Sequence, residues 1–390
     1  MIDLNIVNLG TYPPKQCGIA TFSMDLYKSL LLQNNNVEIM AVFDSDFKYR
    51  YGSEVVFKIR QHKRRDYIKA AHLINHSPDI DIVIIQHEYG IYGGQDGEFI
   101  LDFIDMLNKP YIIVTHTVLP QPIRNQKSVL NKLCSNASAI VCMTERSSRL
   151  LNELYGVLPE YIHVINHGVP DFKKQSQKDL KSKYKLTGKT IISTFGLIGP
   201  GKGLELGIKA MANIIKDFPH THYFILGQTH PMLQKYEGEK YRNMLENLVR
   251  VLHIEDNVHF INRFLTDEEL GEYLYLTDIY LSPYPNKDQA VSGTLAFALG
   301  CGRAIVSTAY AYAVEVLANG RGLIAEEADP HELAKLIRRV LSEPELKSSL
   351  MEKAYELGKD WNWPSIGKTY TELLYNILTL QEEKQFNVGL

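Results

Sequence analysis

The fold is decided by residues 191–211, which read IISTFGLIGPGKGLELGIKAM. The β-branched run to Phe195 predicts a strand, the glycines and proline after it predict a loop, and the apolar spacing from Leu204 predicts a helix. Lys202 lies on this loop at the carboxyl end of the strand, where it is well placed to meet an anion. A surface lysine in a turn is the alternative. Strand, loop and helix together form the repeating unit of a doubly wound α/β sheet.

The same alternation continues on both sides of this stretch. Short β-rich runs are separated by longer segments with helical spacing, which predicts right-handed βαβ units and parallel sheets. The predicted strands are 4–9, 37–42, 82–86, 111–115, 139–143 and 162–165 in the first half, and 190–195, 222–226, 258–261, 279–282, 304–307 and 322–324 in the second. The sequence therefore predicts an α/β protein with two doubly wound, Rossmann-like domains.

A polar, lysine-rich stretch from Asp171 to Lys185 separates the two halves. It predicts a solvated linker that leads into a helix, and the domains are accordingly expected at 1–170 and 186–360. Ligands of open parallel sheets bind at the carboxyl ends of the strands. Two such domains facing each other therefore predict an active site in the cleft between them.

Length and composition exclude several classes of protein. The 390 residues are enough for two domains, and the formal net charge of −3 gives no global positive field for nucleic acid. The four cysteines are scattered without a C-x-x-C pair, which argues against a disulfide framework or a zinc ribbon and suits a reducing compartment. The N-terminus lacks the basic region of a signal peptide, and no apolar run approaches the ~18 residues of a membrane span. The sequence predicts a cytoplasmic protein.

Two further loops have the features of anion sites. The first predicted strand runs into a loop that ends at Gly18, before a predicted helix, and the N–H groups of such a helix N-terminus suit a phosphate. A glycine needed only for packing is the alternative. In the second half, Ser292, Gly293 and Thr294 open a helix whose N–H groups are candidates for binding a diphosphate, with capping alone as the alternative.

Histidines follow two predicted strands of the first half at their carboxyl ends. His116 follows one of them, and His87 and Glu88 follow the other. The loop that continues through Tyr89 is rich in aromatic residues and glycine, and it predicts an acceptor pocket in which a sugar stacks; a rigid packed loop is the alternative. His87 and Glu88 lack the second histidine of an H-E-x-x-H motif, and no Asp-x-Asp pair ends a strand. No metal site is predicted.

Taken in order, these motifs resemble glycosyltransferase family 4, retaining transferases with the GT-B architecture. The resemblance covers nearly the whole chain. Its landmarks are the Gly18 loop, 164–169 (VINHGV), 195–203 (FGLIGPGKG), 260–270 (FINRFLTDEEL), 277–283 (TDIYLSP) and 300–308 (GCGRAIVST). The amphipathic segment 365–382 resembles the last GT-B helix, which crosses back to the first domain and completes it.

The resemblance implies transfer of a hexose, mannose or glucose, from a nucleotide-sugar donor such as GDP-mannose or UDP-glucose. The acceptor would be a saccharide or a glycolipid, the anomeric configuration would be retained, and neither a metal nor another cofactor would be needed. By resemblance, His116 lies beside the donor hexose, and the Gly196 loop with Lys202 holds the leaving diphosphate. For His116, a structural histidine with satisfied hydrogen bonds is the alternative. Departing phosphate oxygen would help to deprotonate the acceptor hydroxyl. His167, near the end of the first domain, is expected to be structural or to belong to the hinge; direct contact with substrate is the alternative.

The sequence departs from the family at its usual pair of glutamates separated by seven residues. Gln289 and Phe297 occupy those positions. Gln289 still donates and accepts hydrogen bonds and is a catalytic candidate, whereas Phe297 cannot bond a ribose. Leu197 also stands where the family often has arginine, so Arg263 is the candidate for the missing positive charge.

Two other functions stay open, and the absence of the glutamate pair favours the first of them. One is a non-catalytic subunit that binds nucleotide-sugar or activates a partner, and the other is a sugar-nucleotide epimerase. The basic stretch Lys58–Lys69 allows a peripheral contact with the inner face of the membrane, as in relatives with lipid acceptors; a solvated helix face is the alternative. The sequence does not indicate the oligomeric state.

Overall fold

A computed structural model describes residues 3–45 and 47–388, with side chains as far as Glu383. The chain divides into two compact units. The first unit contains the residues up to Gly168 together with the C-terminal segment from Trp363, and the second contains Val169–Asn362. The chain therefore passes between the units twice.

Each unit is built on one parallel sheet. The sheet of the first unit has the order β3-β2-β1-β4-β5-β6-β7, and that of the second has the order β10-β9-β8-β11-β12-β13. The strands are β1 (Asn5–Gly10), β2 (Asn36–Phe43), β3 (Val55–Arg60), β4 (Ile82–His87), β5 (Tyr111–Thr115), β6 (Ala139–Cys142), β7 (Ile162–Val164), β8 (Thr190–Phe195), β9 (Thr221–Leu226), β10 (Val258–Ile261), β11 (Ile279–Ser282), β12 (Ala304–Thr308) and β13 (Leu323–Ala325). Both orders reverse direction at the first strand of the unit, which is the switch point of a doubly wound fold.

Helices cover the sheets because buried apolar strands must be shielded on both faces. The helices are α1 (Gly18–Leu31), α2 (Arg64–Asn75), α3 (Ile100–Met106), α4 (Arg124–Ser135), α5 (Glu145–Glu153), α6 (Gln177–Lys183), α7 (Leu204–Ile214), α8 (Pro231–Glu237), α9 (Lys240–Val251), α10 (Asp267–Leu276), α11 (Gly293–Gly300), α12 (Ala311–Val316), α13 (Pro330–Ser342), α14 (Pro344–Gly358) and α15 (Trp363–Val388). The predicted α/β class with two doubly wound, Rossmann-like sheets is confirmed. Helix α15 belongs to the first unit.

Local sequence explains where several helices begin. Thr144 caps α5 and Ser176 caps α6, each by accepting a hydrogen bond from a backbone N–H in the first turn. Thr266 and Glu269 form a reciprocal capping box at the start of α10. Asp329 caps α13, whose first residue is a proline that needs no hydrogen-bond acceptor.

The edge strand β3 was not predicted. Its residues pair in parallel with β2, and the basic stretch Lys58–Lys69 runs from this strand into α2. Two of its arginines are paired with carboxylates: Arg60 with Asp66 at 2.7 Å, and Arg64 with Asp102 at 2.5 Å. The stretch therefore comprises the end of a strand, a short turn and the first half of a helix, and ion pairs occupy part of its charge.

Residues 171–185 are part of the second unit and do not form a linker. The Phe172 ring is buried against Phe297, with ring centroids 5.7 Å apart, and Leu180 is buried on α6. Two lysines of the stretch pair with buried carboxylates on other elements, as Lys181 bonds Asp278 at 2.6 Å and Lys183 bonds Glu272 at 2.6 Å.

The unit boundaries therefore differ from those expected. The second unit begins at Val169 and ends at Asn362, where the sequence suggested 186 and 360. The expected boundaries of the C-terminal helix, 365 and 382, lie inside α15. The local sequence of this lysine-rich stretch does not predict its ion pairs with buried carboxylates, because those carboxylates come from distant parts of the chain.

Candidate active site

In the second unit, the loop after β8 and the loop between β11 and α11 meet at the ammonium group of Lys202. Gly196 follows β8 with φ +125°, a conformation that favours glycine. A Cβ atom at this position would lie 3.2 Å from Lys202 Nζ and 3.4 Å from a methyl group of Thr294. The glycine thus leaves room for the lysine and for the start of α11 to come together.

Gly203 fixes the end of the lysine loop. Its φ of +60° is left-handed, and a Cβ there would lie 2.1 Å from the carbonyl oxygen of Pro283. Helix α7 begins directly after it. The close approach brings the loop after β8 against the loop after β11, where Tyr284 lies.

Hydroxyl groups surround the lysine. Lys202 Nζ donates a hydrogen bond to the phenol oxygen of Tyr284, which lies 2.9 Å from Thr294 Oγ1. Thr294 Oγ1 in turn lies 3.2 Å from Ser292 Oγ, which caps α11 by accepting from the Leu295 N–H. Four side chains are therefore linked, and Tyr284 is a member that the sequence did not identify.

Two predicted donor residues take other partners. Gln289 donates its amide hydrogen to the carbonyl oxygen of Val291, at 2.8 Å. Arg263 forms a bidentate ion pair with Glu269, at 2.6 and 2.8 Å. Its exposed guanidinium is therefore used to hold the cap of α10, and its donor role stays a prediction.

Phe297 is packed as a core residue. Its ring stacks on Phe195, with centroids 5.9 Å apart and planes 23° apart, and it meets the edge of Phe172. Only 9% of the side chain is exposed. The position at which the family usually has a glutamate is therefore filled by an aromatic cluster.

Phe297→Glu is expected to lower the free energy of unfolding by about 3 kcal/mol or more, because a carboxylate would replace a packed ring. Nucleotide binding should weaken as well. Denaturant titration and calorimetry with UDP and GDP measure the two effects, and Phe297→Leu is the apolar control. Tighter nucleotide binding with unchanged stability would show that the site readily accepts the usual glutamate.

In the first unit, His116 is fixed by a chain of amides. Its Nε2 lies 2.9 Å from Gln86 Oε1, and the Gln86 amide nitrogen donates to Asn8 Oδ1 at 3.0 Å. Asn8 donates in turn to the Ser23 carbonyl at 3.4 Å. This order makes Gln86 Oε1 an acceptor, so His116 carries its proton on Nε2 and a lone pair on Nδ1.

The same histidine belongs to a cluster of rings centred on Phe22. Phe22 on α1 packs edge-on against His116, His167 and Trp363, with centroids 4.8, 5.2 and 5.0 Å away. Burial, followed by the proximity of His167 and His87, lowers the pKa of His116 to about 3. His116 is therefore a neutral hydrogen-bonding group at physiological pH.

His87 and Glu88 lie in a similarly enclosed setting. His87 is buried against Tyr89, at 4.9 Å between ring centroids, and its Nδ1 has no hydrogen-bond partner among the described residues. Glu88 accepts from the Tyr89 N–H at 3.0 Å and from the Thr117 hydroxyl at 2.5 Å. Burial raises the pKa of the Glu88 carboxyl above its ordinary value, despite these two hydrogen bonds.

The buried histidines make the first unit sensitive to acid. Burial lowers the pKa values of His87 and His167 to about 4 and that of His116 to about 3, so the unfolded chain takes up these protons first as the pH falls. The free energy of unfolding should therefore be highest above pH ~6.5 and fall by a few kcal/mol towards pH ~4. The raised pKa of Glu88 acts in the opposite direction. Chemical denaturation between pH 5 and 7 measures the slope.

The variant His87→Gln should reduce this slope, whereas His72→Gln, on the exposed side of α2, should leave it unchanged. Equal slopes in the wild type and His87→Gln would contradict the assignment of His87 as a buried neutral group.

Gly18 is the first residue of α1. No atom lies within 4 Å of a Cβ built on it, so neither packing nor backbone conformation requires glycine there. Cys17, the preceding residue, caps the helix through its sulfur, which accepts from the Ala20 N–H at 3.4 Å. The start of α1 is therefore open in front of Gly18.

The described residues contain neither a cluster of metal-binding side chains nor a membrane-spanning helix. No group of three or more His, Cys, Asp and Glu side chains is arranged there to hold a metal ion. No described helix is long and apolar enough to cross a bilayer.

The two halves of the chain match two family models. Residues 17–171 match the model described as Glycosyltransferase Family 4, and residues 175–357 match that of Glycosyl transferases group 1. An uncharacterized glycosyltransferase of Methanocaldococcus jannaschii is 25% identical over 259 residues, covering 65% of this chain and 62% of that protein. The matched curated relatives are covered over 24–62% of their own lengths.

Solved structures with low sequence identity share the fold. Sucrose-phosphate synthase of Thermosynechococcus elongatus aligns with a TM-score of 0.79 at 16% identity, over 97% of this chain and all of that one. HepE of Anabaena, in a complex with UDP and glucose, aligns with a TM-score of 0.75 at 15% identity, over 96% of this chain and all of that one.

Proposed function

Because the chain belongs to the GT-B glycosyltransferases of the family 4-like group, we propose that it transfers a hexosyl group from a nucleotide-sugar to a saccharide or glycolipid acceptor. The anomeric configuration would be retained. The donor sugar would be mannose or glucose, carried by GDP or UDP. No metal or other cofactor takes part in the proposed reaction.

The observation that carries this proposal is the cluster around Lys202. An ammonium group lies among the hydroxyls of Tyr284, Thr294 and Ser292 at the start of α11, where the first backbone N–H groups have no acceptor within the helix. Such a group stabilises the negative charge that develops on a leaving diphosphate. The complex of HepE with UDP and glucose adds support for a nucleotide-sugar donor.

Residues of the second unit bind the nucleotide in this proposal. Gly196 and Gly293 allow the diphosphate to approach the backbone, and Lys202 supplies the positive charge. Gln289 turns its amide nitrogen to Val291, which leaves its oxygen available to accept a sugar hydroxyl. Without a carboxylate nucleophile, we propose a same-face reaction in which the departing phosphate oxygen takes the proton of the acceptor hydroxyl.

Residues of the first unit bind sugar in this proposal. The Nδ1 lone pair of His116 accepts a hydroxyl of the donor hexose, and the open start of α1 at Gly18 leaves room for the donor. Glu88 and Tyr89 bind the acceptor, with the Glu88 carboxyl oriented by Thr117, and the buried His87 supports the Tyr89 ring. These roles agree with the neutral state of His116 that burial imposes.

A screen of nucleotide-sugars tests the proposal. Purified protein is incubated with UDP-glucose or GDP-mannose and a panel of saccharide and glycolipid acceptors, and the release of UDP or GDP is measured. We expect acceptor-dependent release with one donor. Nucleotide binding without turnover would instead support the non-catalytic subunit, and nucleotide release with no glycoside would support the epimerase.

A further inference from the structure

Tyr284 has the most direct contact with Lys202. Its phenol oxygen accepts the lysine hydrogen bond, and Lys202 Nζ lies 4.5 Å from the centre of the Tyr284 ring. Among the described residues, no carboxylate lies within ion-pair distance of this ammonium group. The orientation of the Lys202 side chain therefore depends on the phenol of Tyr284.

The phenol itself is held rigidly. The Tyr284 ring stacks on Tyr310, with centroids 5.1 Å apart and planes 18° apart, and only 4% of Tyr284 is exposed. Tyr310 is anchored by its hydroxyl, 2.7 Å from Ser282 Oγ, and the backbone of Tyr284 is anchored by Thr308 Oγ1, 2.6 Å from its carbonyl oxygen. These contacts fix the position of the phenol oxygen.

A phenol hydroxyl can both accept and donate a hydrogen bond, and the position between Lys202 and Thr294 uses both. Its oxygen accepts from the lysine, and its hydrogen is free to be donated to Thr294 Oγ1 at 2.9 Å. A lysine side chain has four rotatable bonds, and fixing it costs entropy. An anchor built into the folded protein removes much of that cost before the nucleotide-sugar binds.

We infer that Tyr284 is a positioning residue, which holds the Lys202 ammonium where the leaving diphosphate develops its charge. The inference rests on the proposed function and adds to it a residue that acts through the lysine. The electrostatics agree. Burial alone would raise the pKa of Tyr284, but the adjacent Lys202 ammonium lowers it, together with side-chain hydrogen bonds that involve Lys202, Thr294 and Ser292.

A double-mutant cycle tests this inference. The variants are Tyr284→Phe, Lys202→Ala and the double variant, with kcat, KM and the Kd values for UDP and GDP as readouts. Tyr284→Phe keeps the stacked ring and removes only the hydroxyl. We expect it to lower kcat by about tenfold, since a hydrogen bond to a charged group is lost. In the Lys202→Ala background it should change kcat by less than about twofold.

Tyr312→Phe is the matched control. Tyr312 is fully buried in the same unit, and its hydroxyl has no hydrogen-bond partner among the described residues. This variant should therefore retain wild-type kcat and Kd. The melting temperatures of all variants identify any effect that comes from misfolding.

Equal fold-losses from Tyr284→Phe in the two backgrounds would overturn the inference, as would wild-type kinetics in Tyr284→Phe. If no donor is turned over, the proposed function fails. The same four proteins can then be compared by their Kd values for UDP and GDP, and this comparison tests separately whether Tyr284 acts through Lys202. Failure of the wild type to bind either nucleotide would overturn both.

Discussion

Lys202→Ala is expected to reduce the rate of hexosyl transfer by about 100- to 1000-fold while leaving the fold intact. The variant removes the one ammonium group of the Lys202 cluster at the proposed diphosphate site, and an electrostatic contact of this kind contributes about 2.7–4 kcal/mol to transition-state stabilisation in a preorganised site. The measurement is kcat with saturating donor, together with the melting temperature.

Two further variants serve as controls for Lys202→Ala. Lys209→Ala removes an exposed lysine of α7 and should leave the rate unchanged. Lys202→Arg keeps the charge but changes its shape, and we expect a partial recovery of the rate. A kcat for Lys202→Ala close to that of the wild type would remove the lysine from the mechanism.

His116→Ala should reduce transfer by about 10- to 100-fold, with little change in affinity for the free nucleoside diphosphate. The proposed nucleotide contacts belong to the second unit, whereas His116 belongs to the first and is proposed to touch only the hexose. The truncation removes a hydrogen bond that the donor sugar makes during transfer, and one such contact is worth about 1–3 kcal/mol. Calorimetry with UDP or GDP and rates with the complete donor measure the two effects on one variant.

His72→Ala, on the exposed face of α2, is the control for His116. Equal losses of nucleotide affinity and transfer rate in His116→Ala would place the histidine in folding or in nucleotide binding. No loss in either quantity would make it an ordinary histidine at the end of a strand.

Most of the fold could be predicted from the sequence because its signals are local. Buried β-rich runs such as Tyr111–Thr115 are recognisable by composition, and the predicted strand has the observed bounds. β3 was missed because its residues, VVFKIR, alternate with charge and continue into the basic start of α2. Residues 171–185 were misjudged because the acids that pair with Lys181 and Lys183 are distant in sequence.

The candidate site could be predicted only in part, because some of its contacts join residues that are distant in sequence. The glycine loop with Lys202 and the start of α11 at Ser292 carry local signals. The contact of Lys202 with Tyr284 depends on the close packing of Gly203 against Pro283, where there is no room for a Cβ atom. This packing is visible only in the folded chain. The amide chain from Asn8 through Gln86 to His116 likewise joins three separate strands or strand ends.

The central claim is that this chain moves a hexosyl group from a nucleotide-sugar to an acceptor. Its most direct test is mass spectrometry of the products, combined with quantification of the released nucleoside diphosphate. We expect the wild type to form an acceptor that is heavier by one hexosyl residue, in the same molar amount as the released nucleotide. Lys202→Ala should form much less of it. Release of nucleotide with only free hexose or an altered free sugar, or no turnover of any bound donor, would contradict the central claim.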